Sequence, residues 1–243
     1  MISGKDRPLR TKKEIREDIW TIMTNKKVGV FPLPLFGRIP NFQGARVAAA
    51  KLFSLPIWKK AHCIKVNPDS PQRWLRQRAL EEGKTVYMAV PRLRAVKCFL
   101  RVQIPPKLAK KAASIKGAFQ LGKPMHPGEM KPVDLVIMGS VAVNPQGERI
   151  GKGGGYGDLE LALAHEFQLL TADTPIVTTV HDLQVLSEHF PQKSHDSLLD
   201  YILTPSQLIK CENNAQRKLK LHWDRLSPEQ LKEIPILQEL QTA

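Results

Sequence analysis

Cysteine is scarce in this 243-residue chain, and its three copies, Cys63, Cys98 and Cys211, form no C-x-x-C pair. An odd number without paired spacing argues against a disulfide framework and against a zinc site, and points to free thiols in a reducing compartment. Long apolar runs are missing too. No stretch reaches the ~18 residues of a membrane span, and the opening "MISGKDRPLRTKKEIRED" has no apolar segment of the kind that directs secretion. The expectation is a cytoplasmic protein with no membrane partner. Carboxylates are few, 23 against 37 lysines and arginines, which leaves a net charge of +14. Such a field attracts polyanions: nucleic acid, nucleotides, or phosphorylated or polyglutamylated small molecules. There is also no internal repeat, no low-complexity tract, no zinc knuckle and no interleaving of aromatic with basic residues of the RNA-binding type.

What is present is a series of short apolar runs separated by helical patterns. "HCIKV" (62–66), "TVYMAV" (85–90), "DLVIMGS" (134–140), "PIVTTV" (175–180) and "DYILT" (200–204) are continuous rather than alternating, as strands covered on both faces are. Helical spacing occupies 12–25, 44–54, 70–82, 106–116 and 156–170. The alternation predicts a three-layer α/β/α fold around a mostly parallel sheet. It places one α/β domain over 1–210, opened by the helix at 12–25, followed by a polar C-terminal extension over 211–243 with a short helix at "SPEQLKE". The proline-rich "FPLPLFGRIP" (31–40) reads as the loop joining the first helix to the body.

"ERIGKGGGYGDLELALA" (148–164) puts five glycines between Gly151 and Gly157 and runs straight into a helix whose apolar stripe is Leu159, Leu163, Phe167 and Leu170. Ordering that much glycine costs a few kcal/mol, roughly 0.5–1 per residue. Unpaired N–H groups at a helix start, with Arg149 and Lys152 beside them, make an anion site that offsets the cost; a ligand-free flexible loop is the alternative. The run is neither a Walker loop, since no Ser or Thr follows Lys152, nor a dinucleotide fingerprint, since Tyr156 stands where a glycine is required. Asp158 either favours the helix dipole or holds magnesium against phosphates with its oxygens.

The first helix repeats the theme. Thr11 and Glu14 have capping-box spacing, so it starts at Lys12. Ile15, Ile19, Ile22 and Met23 share one face, with Lys12 and Arg16 on that face or its edge, while Lys13 and Glu17 point away. Two like charges four apart at a helix N-terminus oppose each other and the dipole. A bound anion compensates them, unless both side chains snorkel to water.

With these residues in view, "DLVIMGSVAVNPQGERIGKGGGYGD" (134–158) resembles the nucleotide loop of the 5-formyltetrahydrofolate cyclo-ligase family, also called methenyltetrahydrofolate synthetases. The family's K-x-x-L-R motif on the first helix is matched by Lys12 to Arg16, and the resemblance runs over most of 12–205, through "GKTVYMAVPR" and "HDSLLDYILT". It implies an enzyme dependent on ATP and Mg2+ in which the formyl oxygen of 5-formyltetrahydrofolate is phosphorylated, a neighbouring amine attacks the activated carbon, and loss of phosphate leaves 5,10-methenyltetrahydrofolate. Carried over, Lys12, Arg16, Arg149 and Lys152 with the backbone of Gly151, Gly153, Gly154 and Gly155 meet the nucleotide. Tyr156 lines the site and Asp158 faces the metal. Lys12, Arg149 and Tyr156 form the catalytic set.

The family's Tyr-Tyr-Asp is Tyr156-Gly157-Asp158 here, and its glutamate-containing substrate stretch is "VNPDSPQ" (66–72), with Asp69 as the sole carboxylate. "GRIPNFQGA" (37–45), "KVNPD" (65–69) and "VPRLR" (90–94) are similar to a paralogue group, the methenyltetrahydrofolate synthetase domain-containing proteins. That similarity implies a second possibility: an ATP-binding paralogue without cyclo-ligase activity, acting on another substrate and connected to thiamin metabolism. Arg92 and Arg94, beyond the second strand, together with Asp69 and Tyr156, are the candidate contacts for a reduced folate or related heterocycle. His181-Asp182 lies at a strand end where ligands collect, or forms a structural hydrogen bond. A third reading, nucleic-acid binding, rests on the net charge and on the basic clusters "KLAKKAASIK" (107–116) and "RKLK" (217–220).

Overall fold

The capping box forms as its spacing predicts, in a computed structural model that describes residues 10–212 and 219–242. The Thr11 backbone N–H donates to the Glu14 carboxylate at 2.7 Å and the Glu14 N–H to the Thr11 hydroxyl at 3.3 Å, opening α1 (Lys12–Asn25). Its buried residues are Ile15, Ile19, Trp20 and Met23. Ile22, expected among them, is 40% exposed. At about 100° per residue the buried stripe is centred well round from Ile22, on the side that carries Lys12 and Arg16. Burial of Trp20 thus turns the two cations inward.

Eight strands form one sheet in the order β10-β9-β8-β5-β1-β2-β3-β4. The five apolar runs become β1 (Cys63–Val66), β2 (Thr85–Ala89), β5 (Leu135–Met138), β8 (Ile176–Thr179) and β9 (Tyr201–Leu203), all mutually parallel where they pair. Antiparallel strands flank them: β3 (Phe99–Val102) and β4 (Lys123–Met125) on one side, β10 (Leu208–Lys210) on the other. A separate two-stranded ribbon joins β6 (Ala142–Val143) to β7 (Arg149–Ile150).

Side-chain alternation sorts the strands between two cores. Ile64, Val66, Val86 and Ile137 meet the layer of α2 (Ala45–Ala50), α3 (Pro56–Lys60), α4 (Arg73–Glu81), α5 (Ala109–Ala112) and α6 (Ile115–Leu121). Cys63, Tyr87, Val136, Met138 and Ile176 meet the layer of α7 (Tyr156–Glu166), α8 (Pro228–Glu233) and α9 (Pro235–Thr242). The expected three layers are therefore present. Three helices differ in extent from the sequence reading: the 44–54 pattern is helical only as α2, Ser114 caps a new helix at Gly117 and divides 106–116 between α5 and α6, and α7 ends at Glu166, ahead of Gln168 at φ 55°. The "SPEQLKE" helix forms as α8, capped by Ser227. The segment around it is less polar than expected, for Leu219, Ile234, Ile236 and Leu237 are buried in the same cluster as α7. Of the "RKLK" cluster, Arg217 and Lys218 lie outside the described residues.

Candidate functional site

After β1 the chain moves outward to β2, and after β5 it moves the opposite way to β8, so the sheet has its topological switch between β1 and β5. Ligands in open parallel sheets collect outside the carboxyl ends of strands at such a point. Here those ends lead into Asn67–Asp69 on one side and into Gly139, the β6–β7 ribbon and the glycine loop on the other. α1 packs over this end against β6 and the turn at 182–184.

Three glycine positions fix how tightly the elements close. Gly153 has φ 113° and Gly155, the N-cap of α7, has φ 70°, conformations that L side chains rarely adopt. A Cβ on Gly139 would lie 2.6 Å from an Asp69 carboxylate oxygen, so the β5 end and the Asp69 side chain meet only because no side chain intervenes. No side chain caps α7, so its first-turn N–H groups face outward beside the loop.

Arg16 reaches this loop. Its Nε donates to the Gly151 carbonyl at 2.8 Å, and its guanidinium lies 3.5 Å from where a Gly153 Cβ would stand. Burial lowers the Arg16 pKa. Lys12 comes to the same end by another route, in an ion pair with Asp196. The next residue, Ser197, donates both its N–H (3.1 Å) and its hydroxyl (2.7 Å) to Asp158. Adjacent residues of one loop thus tie the start of α1 to the start of α7.

Asp158 and Arg149 pair with each other. The Asp158 carboxylate is taken by Arg149 Nη2, at 2.7 and 2.8 Å, and by Ser197. Burial pushes its pKa up, but Arg149 and the Ser197 hydrogen bonds outweigh that and hold it below the usual carboxylate value. Arg149, 6% exposed, also donates from Nη1 to the Gly139 carbonyl at 3.0 Å, and its Nε is buried without a partner. A guanidinium taken out of water needs its charge and its donors matched. This one braces the loop from beneath through Asp158 and the Gly139 carbonyl. Gly157, where the family has tyrosine, lies against Met138 and the Arg149 guanidinium. Tyr156, half-buried, opens α7 with its ring over Gly154.

Burial raises the pKa values of both Asp69 and Glu160, and the charge of the exposed Lys152 opposes that rise. Burial pushes the Asp69 carboxyl up, opposed by Lys152, Arg76 and Lys65. Beneath lies a buried network that the sequence reading did not single out. Lys65 donates to Glu160 at 2.6 Å, Asn67 Nδ2 donates to the same oxygen at 3.0 Å, and the Gly139 N–H donates to Asn67 Oδ1 at 3.3 Å. Arg76, fully buried with its pKa lowered to about 10 by desolvation, donates to the backbone carbonyls of Asn67, Asp69 and Ala113. A lysine inside the apolar run "HCIKV" and a glutamate inside "LELALA" were the available signals, since charges are buried only in pairs.

Arg92 and Arg94 are not brought to the loop by any hydrogen bond. Arg92 is exposed at φ 55°, and Arg94 pairs with Glu233 at 2.8 Å. His181 caps the 182–184 turn, accepting from the Leu183 N–H at 3.2 Å, and Asp182 accepts from Thr204 and Ser206; the structural reading of that pair holds.

Residues 8–205 match the 5-formyltetrahydrofolate cyclo-ligase family. The chain belongs to that family. Among its relatives, a methenyltetrahydrofolate synthase domain-containing protein of Bos taurus is 40% identical over 237 residues, covering 95% of this chain and 62% of that protein. The Homo sapiens protein of the same name is 37% identical over 237 residues, covering 95% and 61%. The chain thus spans about three-fifths of these relatives' length. Its fold is similar to the NMR structure of an Aquifex aeolicus 5,10-methenyltetrahydrofolate synthetase, with a TM-score of 0.54 at 20% identity over 88% of this chain and 99% of that one.

Magnesium takes oxygen ligands, usually one or two carboxylates with phosphate oxygens and waters. Among the described residues no three His, Cys, Asp or Glu side chains group to form a cage. Of the carboxylates at this end, Asp158 is engaged by Arg149 and Ser197 and Asp196 by Lys12, whereas no described side chain hydrogen-bonds the carboxylate of Asp69. One carboxylate without a side-chain partner, beside the exposed Lys152, fits a metal only if most of its oxygen ligands come from a bound molecule or water.

Proposed function

We propose that this chain binds magnesium-ATP in the crevice between the start of α1 and the glycine loop, and uses it in cyclo-ligase chemistry on 5-formyltetrahydrofolate or a related heterocycle. The observation that carries this reading is Arg16 on the Gly151 carbonyl and beside Gly153, where the uncapped N–H groups of α7 begin. Phosphoryl transfer depends on positioning and on neutralising oxygen charge, and these parts supply both. Arg16 and Lys152 meet phosphate oxygens as charge-assisted donors, and the backbone of Gly153 to Gly155 supplies neutral ones. Lys12 joins them by exchanging Asp196 for phosphate. Arg149 and Asp158 hold the loop in its open-amide conformation. Tyr156 forms one wall for the acceptor, and Asp69 takes either the metal or a polar edge of the substrate. Bound magnesium would neutralise the triphosphate and orient its terminal group. The formyl oxygen would attack the terminal phosphorus and displace ADP, the neighbouring amine would add to the activated carbon and give up its proton, and phosphate would leave with the former formyl oxygen.

A second reading keeps the nucleotide site and changes the acceptor. Gly157 favours it, because the aromatic wall that the family places there is absent and the space lies against Met138 and Arg149. Thermal shift with magnesium-ATP, with and without 5-formyltetrahydrofolate, followed by absorbance detection of methenyl product separates the two. Stabilisation with product supports the first reading, and stabilisation without product supports the second. No response to ATP contradicts both.

A further inference from the structure

The two helical layers carry opposite charge. Segments 45–60, 73–82 and 106–121, which contain α2 to α6, hold eleven lysines and arginines against two glutamates, a net +9. Segments 156–166 and 219–242, which contain α7 to α9 on the other side of the sheet, sum to −4. So most of the chain's +14 lies on one face, away from the glycine loop. Of the eleven basic side chains Arg76 alone is buried.

Nothing on that face neutralises it. Glu82 is held by Arg78 at 2.6 Å and by Lys84 at 3.5 Å, and Glu81 accepts from Gln77. Arg46, Lys51, Arg73, Lys107, Lys110, Lys111 and Lys116 make no ion pair among the described residues. They stand on neighbouring rows, since α2 packs on α4, α4 on α5, and α6 follows α5. Three helix rows spaced about 8–10 Å apart give a basic strip roughly 25–30 Å wide, close to the ~34 Å of one duplex turn. Exposed aromatics lie within it: Trp74, with the Arg46 guanidinium 5.4 Å from its ring centroid, and Phe119.

We propose that the α2–α6 face binds nucleic acid through its phosphodiester backbone, without regard to sequence. Uncompensated lysines in rows are what a phosphate track requires, and an arginine-stacked tryptophan is a platform for an unpaired base. An anionic membrane is less suited to this face. The helices bury Ala49, Leu75, Ala79, Ala109 and Ala112 against the sheet, and the apolar side chains left exposed on this face, Val47, Trp74, Ile115 and Phe119, are spread over three helices with no more than two on any one, too few for an inserting stripe. The proposal is independent of the nucleotide site.

The test is fluorescence anisotropy of labelled single strands and duplexes, as RNA and as DNA, with the full chain over a salt series. Log K should fall linearly with log salt, by about 0.7 per contacted phosphate on a single strand and about 0.9 on a duplex. The variant K107Q/K110Q/K111Q/K116Q should make the single-strand slope shallower by about 2–3 and leave any magnesium-ATP thermal shift unchanged. A control that removes four exposed lysines elsewhere, K26Q/K27Q/K193Q/K210Q, should change it far less. Equal loss in both variants would assign the attraction to net charge and overturn the proposal, as would an unchanged slope in the first variant or binding to anionic lipid vesicles alone.

Discussion

Replacing Asp158 by asparagine tests the brace under the glycine loop. The carboxylate accepts from Arg149 Nη2 through both oxygens and from two Ser197 donors, while Arg149 has the Gly139 carbonyl as its other partner and a buried, unpaired Nε. The amide keeps the shape and one acceptor oxygen but loses the charge, leaving a buried guanidinium without its counter-ion. Removing one partner of a buried ion pair costs about 3–5 kcal/mol, and losing hydrogen bonds to a charged group costs about 1.5–3 kcal/mol each, so about 3–5 kcal/mol of folding stability is expected. Urea unfolding at neutral pH measures it. The pH dependence supplies a second reading. Because the native state lowers the Asp158 pKa, its contribution is complete above the unfolded value of about 3.9 and disappears as pH falls through the lower native value. The stability difference between wild type and variant should therefore shrink below about pH 4. A loss under about 1 kcal/mol at neutral pH, or a difference constant down to pH 3, would refute the reasoning.

Three further outcomes follow from the same geometry. Arg16→Gln removes a charged donor at the loop with little packing change, so magnesium-ATP affinity measured by calorimetry should fall at least about tenfold while the unfolding midpoint moves little. Either Lys65→Met or Glu160→Leu alone should cost about 3–5 kcal/mol by leaving its partner charged and buried, and the double variant should recover most of that loss in urea denaturation, giving a coupling energy of clear sign. Leu237→Ala, in the C-terminal segment that packs on α7, should lose about 2–5 kcal/mol in one cooperative transition if that segment shares the core; an unchanged midpoint would mean that it does not.

Where sequence and structure agree, a strong local signal is the reason. Continuous β-branched runs identify β1, β2, β5, β8 and β9 because both faces of the central sheet are covered. The edge strands escape the same reasoning: β4 contains Pro124, which an edge tolerates, and β10 is largely exposed. The start of α1 is legible from Thr11 and Glu14, and the crowding of Lys12 and Arg16 beside an apolar stripe correctly marks a helix end that meets the glycine loop. What one sequence does not display is pairing across long separations. Ser197 sits 39 residues from Asp158 and Asp196 sits 184 from Lys12, so neither the Ser197 hydrogen bonds to Asp158 nor the Lys12 ion pair is legible from the glycine loop and first helix alone. The core role of Ile234, Ile236 and Leu237 is masked for a different reason, since their short apolar run is broken by Pro235 and flanked by charge.

Hydrogen exchange of the full chain with and without magnesium-ATP tests the central claim most directly. Binding between α1 and the glycine loop should slow exchange in residues 12–16 and 151–158 together and leave the α2–α6 layer unchanged. Binding that protects some other segment, or protects neither of these two, would contradict the account.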